Sequence, residues 1–207
     1  QRLGGNFISV GASYDYTALG PTHHCPADVA LLQQIPPMEI IVPGTAKEFD
    51  QLFRATYDNG NPTYYRLSEQ VNTLISTNPV EFRNMLKVCR GSDLTIIAIG
   101  PTLDLVVNAI PLGYDCTVLY CTTVKPFDRR TLYNNCPSKK VLIVEPFSRG
   151  TLLYDVTRTF RGEFISVDCI GVPHLFTDSY GSLEEQNEQD GLSVKLISEK
   201  IERMIFA

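Results

Sequence analysis

The second half of the chain is a series of apolar segments spaced by amphipathic ones, and few folds accept that pattern. Leu94–Ile99, Cys116–Cys121, Val141–Glu145 and Phe164–Cys169 are almost uninterrupted apolar runs. A strand with one face in water alternates polar and apolar residues, whereas a strand apolar throughout is buried on both faces. Helices are predicted between these runs over 103–110, 127–133 and 151–160. Two more close the chain behind Ser182 and Ser193, residues suited to capping a helix N-terminus. The last carries Val194, Ile197, Ile201 and Ile205 along one side. A mostly parallel sheet covered by helices on both faces satisfies all of these segments, so the fold class is α/β with three layers.

The first half repeats the rhythm less completely. Phe7–Gly11 reads as a short strand, 26–34 as a helix with proline in its first turn, and Met38–Val42 as a second strand. Thr45 with Glu48 three residues on forms a capping box for a helix that places Phe49, Leu52 and Phe53 on one face. The turn cluster Asp58-Asn59-Gly60-Asn61-Pro62 then leads into a strand over 63–67. From Glu69 to Arg90 the alternation lapses, and polar residues, Pro79 and a weakly helical 81–87 read as a linker. The expected organisation is two α/β domains, the first incomplete, over 1–75 and 91–207, with 76–90 as the linker.

Composition narrows the possible functions. Hydrophobic residues make up 43% and charged residues 20%, the balance of a folded soluble protein. The formal net charge of −5 offers no basic field for nucleic acid. No apolar run approaches the ~20 residues that cross a bilayer. Neither nucleic acid nor a membrane is expected as a partner. Cys25, Cys89, Cys116, Cys121, Cys136 and Cys169 show no Cys-x-x-Cys spacing, so they read as reduced thiols of a cytoplasmic protein rather than as a zinc or disulfide framework. The chain opens on Gln1 with no signal-peptide plan, and it is expected to continue upstream.

Gly20-Pro21-Thr22-His23-His24 is the stretch most suggestive of chemistry. Glycine and proline break regular structure, so two of the three histidines stand on a loop just ahead of an apolar helix. Farther on come Ile35-Pro36-Pro37-Met38-Glu39-Ile40-Ile41-Val42-Pro43 and Pro62-Thr63-Tyr64-Tyr65-Arg66-Leu67, and then Gly91–Gly100 and Val141–Glu145. Taken in this order, these segments resemble the pyrimidine-binding and C-terminal domains of the transketolase family of thiamine diphosphate enzymes. The resemblance covers nearly the whole chain. It implies transfer of a two-carbon ketol unit between sugars, with His23 as the catalytic loop histidine, a group suited to proton transfer near neutral pH. It also implies that His24 and Arg66 touch a sugar or sugar-phosphate substrate. Arg66 reads equally as a structural ion pair at a strand end.

The chain departs from the family pattern at two positions. Leu19 stands where many relatives carry an acid, and Glu69 where sugar-phosphate enzymes carry an arginine. The family's Gly-Asp-Gly signature for diphosphate and metal is absent, and its catalytic glutamate lies on a segment upstream of the histidine loop. Thiamine diphosphate and a divalent metal, magnesium or calcium, would therefore be bound mainly by regions outside this chain, and the chain alone is expected to be inactive. The resemblance implies a homodimer or a partner subunit carrying the diphosphate-binding domain. Three alternatives stay open: a 2-oxo acid dehydrogenase β subunit, a deoxyxylulose phosphate synthase relative, or a non-catalytic regulatory subunit. In the second half, Glu145 and Arg149 at a strand's carboxyl end read as capping or interface residues, and His174 as a loop residue.

Overall fold

A computed structural model describes residues 3–74, 78–175 and 180–206. Its strands are β1 (Gly5–Ser9), β2 (Glu39–Ile41), β3 (Pro62–Arg66), β4 (Leu86–Cys89), β5 (Leu94–Ile99), β6 (Cys116–Cys121), β7 (Thr123–Lys125), β8 (Lys140–Ser148) and β9 (Ser166–Val172). Its helices are α1 (Asp28–Leu32), α2 (Ala46–Thr56), α3 (Leu103–Ala109), α4 (Arg129–Asn134), α5 (Leu153–Thr159), α6 (Leu183–Asp190) and α7 (Val194–Phe206).

The apolar runs of the second half form one five-stranded sheet in the order β4-β6-β5-β8-β9. β6, β5, β8 and β9 run parallel in register, from Leu94 opposite Cys116 to Val144 opposite Ile170. Every residue of β5 and β6 is buried, as expected for strands covered on both faces. On one face, α3 and α7 pack Leu103, Val106, Ile197 and Ile201 against Ile96 and Val118. On the other, Leu132 and Val156 of α4 and α5 meet Ile97 and Ile143. The α/β class and the mostly parallel sheets are thus both present.

The segment 81–87, expected as weakly helical, is instead a turn followed by β4. Arg83 takes a left-handed φ of 70° that ends any helix there. The Asp128 carboxylate accepts a hydrogen bond from the Met85 amide at 2.9 Å, and Leu86 and Lys87 pair antiparallel with Tyr120 and Leu119. Tertiary pairing overrides a weak local preference.

The smaller sheet has the order β1-β3-β2-β7, parallel except for its last strand. β7 comes from the second half of the chain and pairs antiparallel with β2 through Ile40–Lys125 and Ile41–Thr123. The sequence pattern did not foreshadow this crossing, because Thr123-Val124-Lys125 is too short to carry a period. α2 begins as expected, with the Glu48 amide donating to the Thr45 hydroxyl at 3.1 Å. Below β2, the buried Glu39 carboxylate accepts from Asn59, Asn61, Thr63 and Arg83, tying the turn and the connecting segment to this sheet. Among the described residues no strand pairs with the outer edge of β1, where Phe7 and Ile8 are about half exposed.

Glu145, near the end of β8, is wholly buried, and its two oxygens accept the Gly150 and Leu152 amides at 2.5 and 2.8 Å. The carboxylate thus caps the turn that starts α5. Burial pushes this carboxyl up to about 8, against the pull of the two amides. The folded chain keeps the proton over a pH range in which the unfolded chain has released it. Its stabilising contribution is therefore complete below about pH 4 and is lost as pH rises through about 8. Urea unfolding of Glu145→Gln is expected to show a shallower fall in stability between about pH 5 and pH 8 than the parent chain; equal slopes would contradict the buried proton.

Candidate functional site

The loop that follows β1 is built from two tight turns. Residues 17–19 and 21–23 each form a short 3-10 turn, joined at Gly20. Gly20 has φ 80°, a left-handed conformation that costs other residues energy. A Cβ there would also lie 2.3 Å from the Tyr180 ring. Glycine is the residue that fits on both counts, and the turn it makes pushes the next residues outward.

His23 sits at the crest of the loop and is exposed. Its Nδ1 shares a hydrogen bond with the Thr22 hydroxyl at 3.0 Å. His24 turns the other way. Its ring meets that of buried Tyr14 edge-on, with centroids 4.8 Å apart at 90°. Both ring nitrogens are enclosed, and neither makes a hydrogen bond of ordinary geometry among the described residues. Burial holds this imidazole below the usual histidine range, outweighing the Thr17 backbone, so it stays neutral near pH 7. The same enclosure raises the Tyr14 hydroxyl to about 12, with the Asp190 carboxylate adding to the effect. His24 therefore packs beneath the loop while His23 stands above it.

Arg66, the last residue of β3, is 1% exposed and lies below both ends of this loop. Its Nε donates to Asp28 at 2.8 Å, and a terminal nitrogen donates to the Ser13 hydroxyl at 2.6 Å. Tyr64 also donates to Asp28, at 2.7 Å, and the Phe147 ring lies 5.6 Å from the guanidinium carbon. Ser13 opens the loop and Asp28 closes it, so one guanidinium holds the two ends together. The Cys25 amide donates to the Ser13 carbonyl at 3.0 Å, completing the neck. The structure thus places His23 and His24 on one loop, with Arg66 enclosed beneath them in an ion pair rather than beside them at the surface.

The second half of the chain joins the same neck. The Ser13 hydroxyl donates to the Pro146 carbonyl at 2.6 Å, and both the amide and the hydroxyl of Ser148 donate to the Pro26 carbonyl. Sequence reading did not find Ser13, Asp28, Tyr64 or Pro146 as members of this network. The one available signal was a charged Arg66 ending an otherwise uncharged strand, with an acid, Asp28, at the start of α1.

Around the loop, Asp15 accepts from the Ser68 hydroxyl and the Glu69 amide, both at 2.9 Å. Leu19 is 58% exposed, and Glu69 is exposed as well. Among the described residues no group of three or more His, Cys, Asp or Glu side chains is placed to hold a metal ion. Nor is any helix there long and apolar enough to cross a membrane. In the second half, His174 lies 3.0 Å from the carbonyl of Arg149, in the turn that follows β8.

Comparison with known proteins agrees with this picture. Residues 1–73 match the family model for the transketolase pyrimidine-binding domain. One of the subunits of the apulose-4-phosphate transketolase from Phocaeicola vulgatus is 30% identical over 176 residues, 80% of this chain and 56% of that protein. An uncharacterized 33.6 kDa protein in the fasciation locus of Rhodococcoides fascians is 29% identical over 207 residues, 97% of this chain and 65% of that protein. The chain therefore spans less than two thirds of the length of these relatives. A split gene transketolase, solved as an inactive β4 tetramer, superimposes with a TM-score of 0.81 at 21% identity, over 97% of this chain and 66% of that one. Transketolase from Campylobacter jejuni gives 0.80 at 17% identity, over 96% of this chain and 31% of its own. Residues 1–73 thus belong to the transketolase pyrimidine-binding domain family, and the chain shares its fold with solved transketolases.

Proposed function

We propose that this chain is the C-terminal portion of a transketolase-like enzyme that moves a two-carbon ketol unit between sugars. In this reading, residues 1–75 are part of the pyrimidine-binding domain, 91–207 are the C-terminal domain, and 76–90 are a linker that lends β4 to the sheet of the C-terminal domain. The observation that carries it is His23, exposed on a loop whose neck is braced from both sheets. An imidazole on such a loop can give a proton to, or take one from, a sugar oxygen. Thiamine diphosphate, when bound, supplies the carbon nucleophile and electron sink that side chains lack. This reading assigns the cradle for the diphosphate and its metal to regions outside this chain, and among the described residues no His, Cys, Asp or Glu cluster is placed to ligate a metal. That cradle belongs to an upstream segment or a partner subunit. The apolar edge of β1, open at Phe7 and Ile8, is a surface such a segment could cover.

A non-catalytic, regulatory reading is favoured by Leu19 and Glu69. An exposed leucine beside the histidine turn accepts no hydrogen bond, and a carboxylate at Glu69 repels a phosphate. One experiment separates the two readings: calorimetric titration of thiamine diphosphate with magnesium into the longest natural form of the protein, with any partner subunit. Saturable micromolar binding with ketol transfer is expected. Absence of binding, with a known transketolase as the positive control, would leave the regulatory reading.

A further inference from the structure

A cleft of about 520 Å³ opens where the end of α1, the segment from β7 into α4, and α5 meet. It shares no residue with the histidine loop, so its role is independent of the proposed enzyme activity. Its polar lining is short of acceptors. The Lys125 ammonium donates to the carbonyls of Gln33 and Ile35 at 2.9 and 2.6 Å, capping the end of α1. An ammonium has a third proton to give, and no carboxylate among the described residues lies within ion-pair distance of it. Arg129 spends one terminal nitrogen on Asp155 at 2.5 Å, while its Nε is enclosed and bonded to nothing. The Gln33 side-chain amide nitrogen is likewise enclosed without an acceptor.

Unpaired donors of this kind are rare in native proteins and each one has a cause, such as an absent water or ligand. Here three donors from two segments belong to residues that line one cavity, and Asp155, the acid among them, is already engaged by Arg129. The lining keeps an uncompensated positive charge. A cation would be repelled, and an apolar molecule would leave the donors as unsatisfied as before. Phe127 and the exposed Tyr154 ring add an apolar wall for the body of a ligand. The volume is in the range of small-molecule sites, which favour junctions of this kind.

We infer that this cleft binds a small oxyanion, a carboxylate or phosphate ester, through Gln33 Nε2, Lys125 Nζ and Arg129 Nε. The test is calorimetric titration of the longest natural form with inorganic phosphate and, separately, with malonate, at constant ionic strength. Saturable binding of at least one is expected, and the tighter of the two arms identifies the anion type. Gln33→Ala and Lys125→Gln are each expected to weaken binding about tenfold, the effect of losing one charge-assisted hydrogen bond. The surface variant Lys47→Gln should leave it unchanged. If Lys125→Gln fails to fold, Gln33→Ala, at the end of a short helix, still decides the matter. The inference is overturned if neither anion binds, if binding ignores both cleft variants, or if Lys47→Gln weakens it equally.

Discussion

Replacing Arg66 by methionine is expected to lower the unfolding free energy by about 3–5 kcal/mol, one of the largest losses a single substitution in this chain should produce. The guanidinium is 1% exposed and its partner Asp28 is nearly as enclosed, so the substitution leaves a carboxylate in the interior with Tyr64 as its remaining donor. A paired charge in such a place adds little over a well-packed apolar pair, but an orphaned one is expensive. The double variant Arg66→Met/Asp28→Asn should therefore recover about 0.5–3 kcal/mol relative to the sum of the single changes. Hydrogen exchange gives a local check, since amides between Ser13 and Asp28 should lose protection before those of β5 or β6. A loss below about 1 kcal/mol on urea unfolding would show that the pair does not hold the loop's neck.

The second large effect concerns activity. His23→Ala is expected to reduce two-carbon transfer by the complete enzyme about 10²–10⁴-fold, the range for removal of a group that transfers a proton. It should leave stability within about 0.5 kcal/mol, because the side chain is exposed and its one hydrogen bond is to the neighbouring Thr22. His24→Ala should behave in the opposite sense and cost about 0.5–1.5 kcal/mol through the lost edge-on contact with Tyr14. Transfer rates and urea midpoints for the two variants test this contrast. An active His23→Ala enzyme would remove the proton-transfer role from the loop.

The parts of the fold legible in the sequence were those encoded locally. The apolar runs at 94–99 and 116–121 announced buried parallel strands because burial on both faces leaves no polar alternation. Thr45 and Glu48 marked a helix start because the capping bond closes within four residues. What escaped reading depends on partners far along the chain. Leu86–Cys89 becomes a strand because β6 lies alongside it. Arg66 could be read either as a ligand to substrate or as an ion pair, because its enclosure depends on Ser13, Asp28 and Phe147. The histidine loop was visible through its glycine and proline, yet nothing local distinguished outward His23 from inward His24. That difference comes from Tyr14, ten residues before His24 and buried.

The crossing of β7 into the smaller sheet bears on how the chain is made. Ribosomes deliver residues in order, and β1, β2 and β3 have emerged long before Thr123–Lys125 is synthesised. Until then the free edge of β2 offers unpaired amides and carbonyls, a template on which other nascent chains can add. Ile40 and Ile41 on that edge reach their buried state against residues such as Leu94, Ile97 and Ile143, all of which are synthesised after the first three strands. A polypeptide ending near residue 75 would carry that exposed edge permanently. Stalled or truncated products of this gene should therefore collect as aggregates rather than as a free small domain.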